Sequence, residues 1–348
     1  MTMEANKERA VFYLKKTVGI VIVPLLSFII MSIACAAAGT TLFKGSSTLN
    51  LYFRGFTYVL LVAFGVSINM HSGRFDFSTG ATMMIGGVIG AKLSVALGWG
   101  PWDMLLFGAV FGALFGTITG LLYVALKLPP MIIGLGMTLV LEGLIAIITG
   151  GLKPVSFGTN GAYYTFVTTP WIMILIAAVA LAIMVFIFHF TKFGYDYRAL
   201  QSGQKIAVNT GVDENKNAVL CYLLAGFFFG AAGAISICST NGVTPTINFT
   251  TIASMFTCFL PLFFSDFIQK FCNKQVAILL GCAAYEFIQI GFGQINFMNA
   301  AFTSDVYKVV EAVILVLFLI YLNNENKINE FVTLKKLREK RKNTVQNG

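Results

Sequence analysis

An all-α, polytopic membrane helical bundle is the fold class this chain predicts, on three observations. Of its 348 residues 57% are hydrophobic and only 11% are charged, whereas a soluble globular domain carries about 25% charged residues. Runs of about 20 apolar residues recur along the chain, each long enough to cross a bilayer as a helix. Segments of alternating polarity about ten residues long, the mark of a membrane β-barrel, are not found.

The hydropathy pattern predicts about ten transmembrane spans, at 17–40, 52–71, 78–98, 103–126, 131–150, 168–190, 217–238, 252–269, 275–293 and 305–323. An even number puts both termini on one side. Lys and Arg choose the side, because they collect in cytoplasmic loops. Of the 24 Lys and Arg residues, Lys44, Arg54, Lys153 and Lys308 fall on the proposed outer side and Lys92 inside the third span; the rest lie at the termini and in the inner loops. Both termini and the segment 191–216 are therefore predicted cytoplasmic. The net charge of +9 follows from this bias and predicts no nucleic-acid partner.

The first span deserves separation from a cleaved leader. Ser32-Ile33-Ala34-Cys35 and Ala36-Ala37-Ala38 resemble processing sites. The apolar run from Thr17 to Ala38 exceeds the 7–15 residues of a signal core, and further spans follow it, so a retained span is expected. The cysteines Cys35, Cys221, Cys238, Cys258, Cys272 and Cys282 show no metal-ligand spacing; most sit in apolar runs, where cysteine acts as a small hydrophobe. No disulfide framework, metal site or cofactor is predicted.

Small residues recur at helical spacing in two spans: Gly108, Gly112, Gly116 and Gly120 in the fourth, and Gly226, Gly230 and Ala234 in the seventh. In lipid such stripes let backbones approach closely, so tight crossings are expected. Between the second and third spans, Ile68 to Gly80 places Asn69, His71, Arg74, Asp76 and Ser78 beside an apolar run. Two readings stand: a broken helix whose free backbone groups meet a polar solute, or a turn with Ser78 capping the next helix.

Lys92, Glu142, Glu286 and Glu311 lie in or near spans, where charges are costly and face the bundle interior or water. Gln289, Gln294 and Asn296 add polar edges to the ninth span. The two histidines, His71 and His189, fall near span ends, and no His–carboxylate relay stands out. No G-x-x-x-x-G-K-[ST] phosphate loop is present, so ATP-driven transport requires a separate ATPase. Thr191–Asn217 is the longest polar interruption between the first and last apolar segments and is the natural docking surface for it.

Three segments carry a family resemblance. Gly73-Arg74-Phe75-Asp76-Phe77-Ser78-Thr79-Gly80 is similar to the Gly-x-x-Asp-Leu-Ser-x-Gly of a known permease family, so Asp76, Ser78 and Gly80 carry over. Leu128-Pro129-Pro130-Met131-Ile132-Ile133-Gly134-Leu135-Gly136-Met137 resembles its Pro-Pro-Phe-Ile-x-Thr-Leu-Gly. Arg198-Ala199, Ala207 and Thr210-Gly211-Val212 match its ATPase-docking loop in spacing. On these motifs the chain resembles the permease subunits of bacterial ABC importers of the ribose or monosaccharide type, within the branched-chain amino acid/sugar permease superfamily. Three departures accompany the match: Gln201-Ser202-Gly203 where Gly-Gly-Asn is usual, Phe259-Leu260-Pro261-Leu262-Phe263-Phe264 where a glycine pair is expected, and Glu142 where arginine is frequent.

The resemblance implies a single transmembrane permease domain over 1–348, with 1–16 a cytoplasmic N-terminus, 191–216 an ATPase-docking loop and 324–348 a basic cytoplasmic tail. It implies a non-enzymatic subunit in the bacterial cytoplasmic membrane. Its expected partners are cytoplasmic ABC ATPase subunits, an extracellular or periplasmic solute-binding protein, a second permease copy or paralogue, and the lipid bilayer. Arg198, Ala199, Ala207, Thr210, Gly211 and Val212 are the expected docking residues. Asn69, Asp76, Ser78, Gly80 and Glu286 are the translocation-pathway candidates. A monosaccharide or similar small polar solute is the expected cargo. Nucleosides or a furanose-like signal molecule form a second reading, a self-contained secondary carrier a third, and a structural or channel-type membrane protein a fourth.

Overall fold

The computed structural model describes residues 2–157 and 161–295, and beyond them Val306, Val309, Val310, Ala312, Val313, Val316 and Ile320. Its helices, in order, are α1 (Thr2–Ala37), α2 (Ser46–His71), α3 (Thr79–Leu97), α4 (Pro101–Leu126), α5 (Pro130–Ile148), α6 (Ala162–Thr168), α7 (Pro170–Phe190), α8 (Lys192–Ser202), α9 (Gln204–Asn209), α10 (Glu214–Ser239), α11 (Ala253–Phe256), α12 (Phe259–Ile268) and α13 (Lys274–Gln294). The strands β1 (Val155–Ser156) and β2 (Gly242–Val243) pair antiparallel and tie the loop after α5 to the loop after α10.

Among the described residues nine helical segments are long and apolar enough to cross a membrane, and they coincide with the first nine expected spans. The tenth, at 305–323, lies mostly outside the described residues, and Glu311 is among those outside. Residues 296–348 form a second unit, in which the described positions are helical. The helix boundaries follow local chemistry. Pro101, Pro130 and Pro170 each open a helix at its first position, where a missing N–H costs nothing and the fixed φ is already helical. At the other end of α3, Gly98 closes the helix in the left-handed region at φ 68°, as C-terminal glycines do. The helix α1 runs back from its apolar portion, Lys16–Ala37, to Thr2.

The bundle packs in two styles. On one side α3, α4 and α10 meet through glycine. A Cβ placed on Gly112 would strike the carbonyl of Gly226, and one on Gly230 would strike that of Gly108. Gly86 and Gly233 bring α3 into the same contact, against Gly108 and Met83. The expected stripes on α4 and α10 thus face each other, and backbone lies on backbone. On the other side α2 and α13 pack through bulky rings. Tyr52 stacks on Phe287 with centroids 4.8 Å apart, and Met31, Cys35, Leu42, Tyr52, Ile290 and Ile295 form a buried cluster that also seats α1. Gly281 of α13 is filled by the carbonyl of Pro261. Pro261 lies in the first turn of α12, where its absent N–H has no intrahelical acceptor to lose.

The eighth span departs from the continuous helix expected over 252–269. It begins as a 3-10 turn, Thr250–Ile252, becomes α11, breaks at Thr257 and Cys258, and resumes as α12. At the break Thr257 Oγ1 donates to the Ser254 carbonyl at 2.9 Å and Cys258 Sγ to the Met255 carbonyl at 2.9 Å. Such side-chain bonds to the backbone three residues earlier compete with regular α-helix.

Candidate functional site

The polar segment after α7 is built on backbone contacts to α2. Thr191 caps α8, its Oγ1 accepting from Gly194 N at 3.4 Å. Gly194 is buried against the Phe188 carbonyl, which seats the helix tightly on the end of α7. One turn on, Tyr197 Oη donates to the Ile68 carbonyl at 3.0 Å, and Gln201 Nε2 to the His71 carbonyl at 2.9 Å. The last turn of α2 has carbonyls without intrahelical partners; Tyr197 and Gln201 supply two donors there. Of the expected docking residues, Arg198, Ala199, Thr210 and Gly211 are exposed, Val212 is half-buried and Ala207 is buried. Ala207 therefore packs inward and shapes the turn, accepting from Val212 N at 3.1 Å, while Gly211 takes φ 96°, a conformation that suits glycine. The Arg198 guanidinium lies 4.9 Å over the Tyr195 ring. Tyr195, Ile206 and Val208 form the apolar part of the exposed face.

The segment between α2 and α3 is a turn, and Asp76 organises it. Its Oδ1 accepts from Ser78 N and its Oδ2 from Ser78 Oγ, both at 2.9 Å, and Thr79 Oγ1 donates to the Asp76 carbonyl at 3.1 Å. Ser78 stands at the N-cap position but makes no side-chain cap bond; its hydroxyl is committed to Asp76, so the capping role read from the sequence is not realised. Burial pushes the Asp76 carboxyl up to about 6, and the two bonds from Ser78 oppose that rise. The turn rests on α5: Gly134 leaves space for Asp76 and Phe77, and Thr138 Oγ1 donates to the Phe77 carbonyl at 3.2 Å. Two of the sequence motifs, Gly73–Gly80 and Leu128–Met137, are thus one contact.

Gly80 makes room for the Thr251 carbonyl. Thr251 and Phe249 are held in turn by Glu142, which is buried. Phe249 N donates to Oε2 at 3.0 Å, and Thr251 N and Oγ1 donate to Oε1 at 3.3 and 2.8 Å. Glu142 thereby anchors the start of the broken span, where Asn248 and Phe249 both take positive φ. Lys92, another of the charges the sequence placed in or near spans, donates to the Ile148 carbonyl at the end of α5.

Two cavities with polar side chains in their walls lie toward opposite ends of α2. The one beside α8, of about 300 Å³, is lined by His71, Arg74, Tyr123, Gln201, Gln204 and Asn217. Arg74 is buried and its guanidinium approaches Glu214 Oε1 at 3.6 Å, an oxygen that also accepts from Gln204 Nε2 at 2.7 Å. Close by, Asn69 is buried with neither side-chain amide atom hydrogen-bonded; its carbonyl accepts from Ser72 Oγ and Arg74 N. The second cavity, of about 280 Å³, is lined by Arg54, Tyr58, Thr257, Glu286, Gln289 and Gln294. Between them Leu60, Leu61, Val62, Ala63 and Phe64 are all buried and form a dry stretch. Asn69, Asp76, Ser78 and Gly80 therefore gather at one end. Glu286 stands at the other, against Gly55, about 21 Å away along the helix at 1.5 Å per residue.

Sequence reasoning missed Tyr197, Gln204 and Glu214, and it read Gln201 only as a departure and Arg54 only as an outer-side charge. Arg54 had a signal: an arginine near the start of an apolar run is as costly in lipid as Glu286.

A multi-pass bundle with cavities at both ends of one buried helix, and an amphipathic segment fastened to that helix, is an architecture that suits a membrane permease. Residues 47–322 match the family described as branched-chain amino acid transport system / permease component, and the chain belongs to that family. It is 30% identical over 230 residues, 64% of this chain and 70% of the relative, to the ribose import permease protein RbsC of Bacillus subtilis (strain 168). It is 28% identical over 190 residues, 53% of this chain and 54% of the relative, to the galactofuranose transporter permease protein YtfT of Escherichia coli (strain K12).

Proposed function

We propose that this chain is the permease subunit of an ATP-driven importer that carries a monosaccharide or similar small polar solute across a bacterial cytoplasmic membrane. One observation carries the reading: the exposed segment α8–α9 is fastened by Tyr197 and Gln201 to carbonyls at the end of α2, the helix that runs between the two cavities. A cytoplasmic ATPase gripping Tyr195, Arg198 and Ile206 would move α2 with it. Rigid-body shifts of this kind interconvert packed states, and here they would open one cavity as the other closes. The names of the two relatives, one for ribose and one for galactofuranose, favour a sugar over a branched-chain amino acid. They keep a furanose form of the solute, or a nucleoside that contains one, as the second reading. An extracellular or periplasmic binding protein would deliver the solute, and a second permease copy or paralogue would complete the assembly.

The test is uptake of D-ribose by vesicles containing the chain with its ATPase and binding protein. Arg198→Glu and Gly211→Phe should abolish ATP-dependent uptake while the protein still inserts and still binds solute. Unchanged uptake in both would remove the docking role, and robust uptake by the purified chain alone would favour the carrier reading instead.

A further inference from the structure

The cavity between the start of α2 and the end of α13 has the makings of a ligand site. Glu286 stands in its wall, 3% exposed. Its Oε2 accepts no hydrogen bond, and no cation lies within ion-pairing distance among the described residues. A buried carboxyl oxygen without a donor is costly, and such groups in native proteins call for an explanation. Space has been cleared for it: a Cβ on Gly55 would collide with Glu286 Oε1. Independently, the break in the eighth span borders the same space, because Thr257 lines it. Interrupted helices at membrane depth survive where they are buried or line a cavity, and binding sites form at such interruptions.

The remaining lining selects the ligand's chemistry. Arg54 shares the cavity with Glu286, so each sign of charge is represented. A solute of net positive charge would meet the guanidinium and one of net negative charge the carboxyl, which leaves a neutral solute, zwitterionic or hydroxylated; the uncharged polar groups in the rest of the wall favour the hydroxylated one. Tyr58, Thr257, Gln289 and Gln294 supply neutral hydroxyl and amide groups, while Leu51, Val59 and Ile290 supply apolar wall. A volume of about 280 Å³ falls just below the range of ligand pockets, about 300–1,000 Å³, and so suits a small solute.

We propose that this cavity is a binding station for a neutral, polyhydroxylated solute, with a solute hydroxyl donating to the Glu286 carboxyl and another accepting from Arg54. The inference rests on the permease reading for its role in transport, but the site itself stands on the cavity, the unpartnered carboxyl and the helix break. It sits at the end of α2 away from α8, so under the proposed orientation it is the station reached from outside.

The test measures thermal midpoints of the purified full-length chain against D-ribose, ribitol, lysine and ribose 5-phosphate, with the variants Glu286→Gln and Arg54→Gln. Ribose or ribitol should raise the midpoint and the two charged probes should not. Each variant, folded as judged by its solute-free midpoint, should need about tenfold more sugar or beyond, the loss expected for one hydrogen bond to a charged group. Tyr58→Phe and Thr257→Val replace any variant that does not fold. Equal sugar responses in wild type and variants overturn the site, as does a response to lysine or ribose 5-phosphate alone, or to no probe. ATP-driven uptake in vesicles tests the other reading separately. Sugar binding lost in the variants with no uptake in wild type keeps the site and removes the transporter role. Uptake with unaltered binding in the variants removes the site alone.

Discussion

The α3–α4–α10 contact and the region around α2 and α13 solve the same problem with opposite materials. On the first, Gly108, Gly112, Gly226 and Gly230 press backbone to backbone. On the second, aromatic rings meet at 4.8–6.4 Å around Tyr52, Phe43 and Phe287, a helix is broken, and a cavity persists beside Glu286. Glycine contacts hold backbones at one separation, since no side chain can rotate to absorb a shift. Rings can re-pack by changing rotamer, and a broken helix can bend at its break. In the transport cycle proposed above, the difference would make α3, α4 and α10 the frame and α2 with its neighbours the moving parts. The proposed docking segment is tied to α2 through Ile68 and His71, so a docked ATPase would act on that side.

The sharpest way to break this contrast is to add volume to the frame. Gly112→Val should remove folded protein altogether, because its Cβ meets the Gly226 carbonyl and backbone cannot rotate aside; overpacking costs about 1–3 kcal/mol even where side chains yield. Size-exclusion profiles in detergent measure it, and a monodisperse variant with a wild-type melting midpoint would contradict the rigid-frame assignment. Next in size is Glu142→Gln. The amide offers one acceptor oxygen for three donors and turns its NH₂ on a backbone N–H, so a loss of about 1–3 kcal/mol is expected for the groups left unsatisfied. The melting midpoint should fall, and Glu142→Ala should fall at least as far.

Tyr197→Phe with Gln201→Ala should cost less stability, about 1 kcal/mol per lost bond, yet should cut ATP-coupled uptake strongly because it frees α2 from α8. Equal losses in folding and uptake would reduce the two residues to ordinary packing. The smallest expected effect on the fold is at Ile206, 73% exposed: Ile206→Ala should change stability by less than about 0.5 kcal/mol while weakening co-purification of the ATPase.

The frame was legible in the sequence and the moving parts were not, for a physical reason. A stripe of glycines four residues apart is a local signal, and nine of the expected spans are local runs of apolar residues. The break at Thr257–Cys258 lies inside a predominantly apolar run, so hydropathy reads straight across it. Tyr197 and Gln201 bond to carbonyls 129 and 130 residues away, and a carbonyl has no sequence identity to match. Glu142 stood out as a departure from a family pattern, but its three donors come from a segment over 100 residues later. The Asp76 motif was visible as a motif; that it rests on Gly134 of the other motif required the fold.

The seating of α1 has a consequence for biogenesis. Only 17% of its apolar window is buried, and its contacts are with α13: Met31 lies in the space of Gly291, and Cys35 Sγ donates to the Gly291 carbonyl across 256 residues of sequence. At about 5–20 residues per second of synthesis, α1 is made on the order of 13–50 s before the surface it packs against. Until then it stands in lipid as a solitary helix, so the order of translation makes its docking one of the last steps of assembly. Truncation before α13 should leave α1 inserted and protease-accessible at its ends.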